Sequence, residues 1–85
     1  MYQIEFLPEP LADLEKLDKA VAQRIMNKLR WLAENFESLT PETLSGDLSG
    51  LSKLRVGGYR VLYEPDRNRK VLTVHLVGHR REIYD

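Results

Sequence analysis

The chain has 85 residues, with 13 Lys/Arg, 13 Asp/Glu and no cysteine, which is the size and composition of one soluble globular domain with a single core. Without cysteine, disulfides, thiolate nucleophiles and cysteine-ligated zinc are excluded. No stretch approaches the roughly 20 apolar residues of a membrane span, and the opening MYQIEF lacks the basic-then-apolar layout of a signal peptide. The expected setting is therefore the cytoplasm, with no membrane association. The zero net charge divides along the chain: residues 1–50 carry five cations against nine carboxylates (−4), and residues 51–85 carry eight against four (+4). An acidic first half and a basic second half suit a polyanionic partner.

Tyr2–Phe6 alternates and is rich in β-formers, predicting a first strand. Pro8 suits the first position of a helix, and Glu9 and Asp13 favour the positive end of its dipole. Leu11, Leu14 and Leu17 recur at helical spacing, so this helix is brief. Asp18 is placed to cap a second helix, in which Val21, Ile25, Leu29, Leu32 and Phe36 form one apolar stripe. The two helices are expected to form a hairpin, with Trp31 off the stripe at the helix–sheet margin. Residues 38–50 are rich in turn formers and read as a surface connection. The period then becomes two, predicting strands at Ser52–Val56, Tyr59–Glu64 and Lys70–Val77. Helices early and strands late argue for an α+β fold, an antiparallel sheet covered on one face by the helical pair.

Alternation sorts the sheet faces. With Leu54, Val56, Tyr59, Val61, Tyr63, Leu72, Val74 and Leu76 toward the helices, the other face gathers Lys53, Arg55, Arg60, His75 and His79. Strict parity turns Arg80 inward, and a bulge or bend at Gly78 is expected to reset it. A cluster of Lys, Arg, His and Tyr without carboxylates suits phosphate chemistry. Guanidinium forks match phosphate oxygens and hold the extra charge of a phosphorane-like transition state, and His or Lys can move a proton. RNA cleavage through its own 2′-hydroxyl needs neither metal nor cofactor, and this inventory expects none.

Each residue also has a structural role open to it. Arg60 can pair with Glu64; Lys53 and Arg55 can guard an edge strand; His75 sits among apolar neighbours; Arg67, Arg69 and Lys70 can solvate a loop; Tyr84 can plug the end of the sheet.

Read together, LSGLSKLRVGGYRVLY (48–63) and VLTVHLVGHRREIY (71–84) resemble the RelE/ParE toxin superfamily, most of all its RelE branch, whose members show a similar KLRxGxYRVxY stretch and a GHRxxIY ending. FLPEPLADLEKL (6–17) is similar to the family's first helix, so the resemblance covers nearly the whole of residues 1–85 as one RelE-like toxin domain. It implies a β-α-α-β-β-β toxin of a type II toxin–antitoxin system. Such a toxin is a ribosome-dependent endoribonuclease, an mRNA interferase that inhibits translation by cutting mRNA in the A site. By the same resemblance Arg60 stabilises the transition state, and Arg80 contacts the scissile phosphate or protonates the leaving oxygen. Tyr84 stacks on or orients the nucleotide, Lys53 serves proton transfer or charge stabilisation, and Lys53 and Arg55 bind RNA phosphate. Some relatives carry a further lysine at the position of Leu51, so the general base stands between Lys53 and His79. The implied partners are a RelB-like antitoxin, in a heterotetramer or larger complex, and the ribosome with its mRNA. An antitoxin helix is expected to cover the apolar residues Leu62, Val71 and Val77 of the basic face. The alternatives are a ParE-like toxin that inhibits DNA gyrase without cleavage, and an inactive module that binds only the antitoxin.

Overall fold

The computed structural model describes residues 1–79. Its elements are β1 (Gln3–Phe6), α1 (Pro8–Glu15), α2 (Lys19–Asn35), β2 (Glu42–Thr43), β3 (Ser52–Val56), β4 (Tyr59–Asp66) and β5 (Val71–His79), with short 3-10 turns at Phe36–Ser38 and Gly46–Leu48. This is the expected α+β arrangement of a helical hairpin followed by strands.

Pro8 occupies the start of α1 after an extended Leu7, where a missing N–H costs nothing. The chain breaks at Asp18, whose side chain accepts a hydrogen bond from the Ala20 amide at 3.1 Å and so caps α2. Ile25, Leu29, Leu32 and Phe36 are all buried, confirming the stripe as core. Phe36 falls in the turn beyond α2 and packs between Tyr2 and Tyr63, with ring centroids 4.8 and 6.2 Å away. Burial pushes the Tyr63 phenol up, against the opposing hydrogen bond with Ser52, so this ring stays neutral inside the core.

The sheet has five strands in the order β1-β5-β4-β3-β2. Two features differ from the sequence-based expectation. First, β1 pairs with β5 in parallel, Gln3 opposite Val71 and Phe6 opposite Val74, so the sheet is mixed; alternation specifies a face and says nothing about strand direction. Second, Glu42 and Thr43, within the expected connection, form a two-residue strand on β3.

The register between β4 and β5 carries the main consequence for the site. Leu62 pairs with Leu76 while Tyr63 pairs with Val74, leaving His75 as the extra residue of a bulge. From there onward the parity of β5 is reversed. Val77, placed on the open face by simple alternation, is opposite Val61 in the core at 5% exposure, and Leu76, placed in the core, is 38% exposed. The reset expected at Gly78 therefore occurs upstream, at His75. Leu62 and Val71 do lie on the face away from the helices, but both are buried outside the main core cluster.

Candidate active site

β3 and β4 are joined by Gly57-Gly58, and Gly57 sits at φ +59, a left-handed conformation that favours glycine. Gly58 is close-packed as well, since a Cβ there would meet His79 Nε2 at 3.2 Å. This tight turn sets Arg55 directly opposite Arg60, and Arg60 in turn faces Gly78 on β5. The adjoining row across the same face runs Glu42, Lys53, Leu62, Leu76. Three cations are thereby gathered from two strands.

Like charges directly opposite on neighbouring strands repel, so the Arg55–Arg60 pair concentrates positive charge at this end of the sheet. One terminal nitrogen of Arg60, Nη1, is shielded from solvent. A half-buried guanidinium beside a second one is an anion site with much of its desolvation already done.

Lys53 is the most enclosed cation here. Its side chain is 4% exposed and its Nζ lies 3.1 Å from Glu42 Oε2, a carboxylate that is itself 54% exposed. The cluster read from sequence as free of carboxylates therefore contains one. Glu42 was hidden because its segment lacks any sustained period; its pairing with Lys53 appears only once β2 is laid on β3. The hydrogen bond from Lys53 holds the Glu42 carboxyl below its ordinary value of 4.5, against desolvation, and the charges of Lys53, Arg55 and Arg60 add to the depression. A carboxyl with a depressed folded-state pKa contributes stability that is complete above its unfolded value and is lost as pH falls through the folded value. Glu42→Gln should accordingly be less stable than wild type at neutral pH, and the gap should narrow below pH 4.5. Denaturant midpoints measured across pH check this, and a gap that stays constant into the acid range would refute it.

The remaining candidates separate. His79 pairs with Tyr59, on the register that carries Val61 and Val77, and meets the Tyr59 ring edge-on at 5.4 Å. It thus belongs to the opposite register from Lys53 and Arg60, not to the face expected from alternation. His75 does lie on the cationic face, but Nε2 is 3.0 Å from Glu64 Oε1, at the other end of the sheet from Arg55. Glu64 therefore engages His75 and not Arg60. Arg67 stacks on Phe36, its guanidinium carbon 4.9 Å from the ring centroid. Asp66 accepts hydrogen bonds from the Asn68 and Arg69 amides, fixing the β4–β5 turn. Arg80 and Tyr84 lie outside the described residues. Among the described residues no three side chains of His, Asp or Glu converge as metal ligands, and no helix is long and apolar enough to cross a membrane.

The family described as ParE toxin of type II toxin–antitoxin systems, parDE, matches residues 4–84. A RelE-like toxin protein of Escherichia coli is 32% identical over 84 residues, covering 93% of this chain and 83% of that protein. The chain belongs to the RelE/ParE toxin superfamily, in its RelE-like branch. The fold of this RelE-like chain is similar to that of the isolated Escherichia coli RelE toxin, with a TM-score of 0.78 and 25% identity, covering 93% of this chain and 84% of that one. It is also similar to a chain of the toxin–antitoxin complex RelBE2 from Mycobacterium tuberculosis, with a TM-score of 0.82 and 25% identity over 93% of this chain and 98% of that one. As a RelE-like protein, it is a toxin of the type II toxin–antitoxin class.

Proposed function

We propose that this toxin is a ribosome-dependent endoribonuclease that cuts mRNA in the A site. The observation that carries the reading is the Lys53, Arg55 and Arg60 cluster on one face of β3 and β4. In the proposed reaction the RNA 2′-oxygen attacks the adjacent phosphorus, the P–O5′ bond breaks, and a 2′,3′-cyclic phosphate and a 5′-hydroxyl end result. The protein must supply charge for the doubly anionic phosphorane, a proton acceptor for the 2′-hydroxyl and a proton donor for the 5′-oxygen. Arg60 is assigned the first role, with Arg55 binding a neighbouring phosphate. Lys53 adds charge and takes part in proton transfer. It fits the base role better than His79, because His79 belongs to the other register. Arg80 and Tyr84 complete the proposal as phosphate contact or acid and as base-stacking residue. The chemistry calls for no metal or cofactor.

The cognate partner is proposed to be a RelB-like antitoxin held in a heterotetramer or larger complex, and the site of action the cytoplasm. Solved relatives include the intact Escherichia coli RelBE toxin–antitoxin complex, 28% identical over 93% of this chain, which supports a proteinaceous antitoxin.

The test is inducible expression with mapping of transcript 5′ ends. Codon-phased cuts on translated messages are expected, with far slower cutting of the same RNA naked, because this acid–base set is sparse and the ribosome must help to position the 2′-oxygen. Equal rates on both substrates would contradict ribosome dependence. A second reading, gyrase inhibition without cleavage, is favoured by the ParE description of the matching family. Growth arrest with uncut transcripts and inhibited supercoiling would establish it in place of the first.

A further inference from the structure

The short β2 covers β3 only at Ser52 and Lys53, and past those residues the edge of β3 has no strand beside it among the described residues. Between this edge and α2 lies a groove of about 250 Å³, lined among others by Lys28, Trp31, Leu39, Pro41, Lys53 and Arg55. It joins two regions that the sequence keeps apart: the cationic face through Lys53 and Arg55, and the outer side of α2 through Lys28 and Trp31.

Trp31 is the protein's only tryptophan, and it stands 42% exposed where large aromatics are ordinarily covered. Lys28 Nζ lies 4.2 Å from its ring centroid, a cation–π contact that holds an ammonium beside the exposed indole. The carboxylate on this groove, Glu42, is already matched by Lys53. An indole, a neighbouring ammonium and apolar walls beside a cationic face are the parts of a single-strand nucleotide site, in which a base stacks on the aromatic and its phosphate meets the cation.

We propose that this groove binds one unpaired nucleotide of the RNA flanking the cleavage point, its base stacked on Trp31 and its phosphate held by Lys28. The ammonium leaves the ring as the base arrives and turns to the phosphate. A volume just below the usual small-molecule pocket range of about 300–1,000 Å³ admits a base and excludes a duplex. The proposal rests on the RNase reading for the identity of the strand. It adds a subsite outside the reacting residues, one suited to influencing which message positions are cut.

Trp31 reports on itself, because no other tryptophan contributes to the emission. A short 2′-O-methyl RNA lacks the attacking hydroxyl and serves as an uncleavable probe, labelled so that anisotropy records binding separately. Saturation should quench Trp31 emission. Trp31→Ala should weaken binding about tenfold, Trp31→Phe should restore most of it, and Lys28→Gln should flatten the salt dependence of binding by a slope of about 0.7. On translated message, Trp31→Ala should still cut in codon phase but about tenfold more slowly. Binding that leaves the emission unchanged would overturn the groove while sparing the RNase reading. Quenching by a wild-type protein that never cuts would do the reverse. Absence of binding would overturn the groove, as would quenching by an antitoxin peptide but not by RNA.

Discussion

Replacing Arg60 with alanine is expected to abolish toxicity and to lower the cleavage rate by about 10²–10³-fold, the usual cost of removing one aligned transition-state donor. The fold should survive, because Arg60 lies on the face turned from the helices and opposite another cation, Arg55. Arg60→Ala should therefore remain folded, as denaturant titrations would show. Arg60→Lys keeps a charge but loses the planar fork, and should fall between the two in rate. A folded Arg60→Ala variant that arrests growth as strongly as wild type would remove Arg60 from the site. Lost activity without lost stability is the signature of a residue held in place for chemistry.

The second large effect tests the bulge at His75. Val77→Asp buries a carboxylate opposite Val61 and should cost about 3–5 kcal/mol, the penalty of an unpaired buried charge. That is a large share of the roughly 5–15 kcal/mol by which small domains are stable, so much of this variant should be unfolded. Leu76→Asp, one residue away and 38% exposed, should change stability by less than about 1 kcal/mol. Chemical denaturation of the pair gives the answer directly. Were strict alternation correct, the order would be reversed, with Leu76→Asp the damaging change.

Some of this protein was legible in the residues themselves. The period of 3.6 in Val21–Phe36, the capping Asp18 and the change to a period of two after residue 50 define the two helices and the later strands. These are local signals, each written within a few residues by sterics and hydrogen bonding. Lys53, Arg55 and Arg60 were legible for the same reason: a two-residue Gly-Gly turn fixes the β3–β4 register, and register places their side chains. His79 was misplaced because its face depends on an extra residue in β5, where a bulge at His75 or a bend at Gly78 satisfies the local pattern equally well. Glu42 was missed because a two-residue strand has no period to read.

Spacing along one or two adjoining segments is enough to set the α+β class, the helical hairpin and the cation cluster, and the family resemblance is carried by the motifs at 6–17, 48–63 and 71–84. The parallel entry of β1, the parity of β5, the Glu42–Lys53 pair and the groove shared by Trp31 and Arg55 were not legible in this way. Each of these joins segments distant along the chain, and the choice among their possible pairings lies in packing the whole core at once, with Val77 rather than Leu76 filling the place opposite Val61.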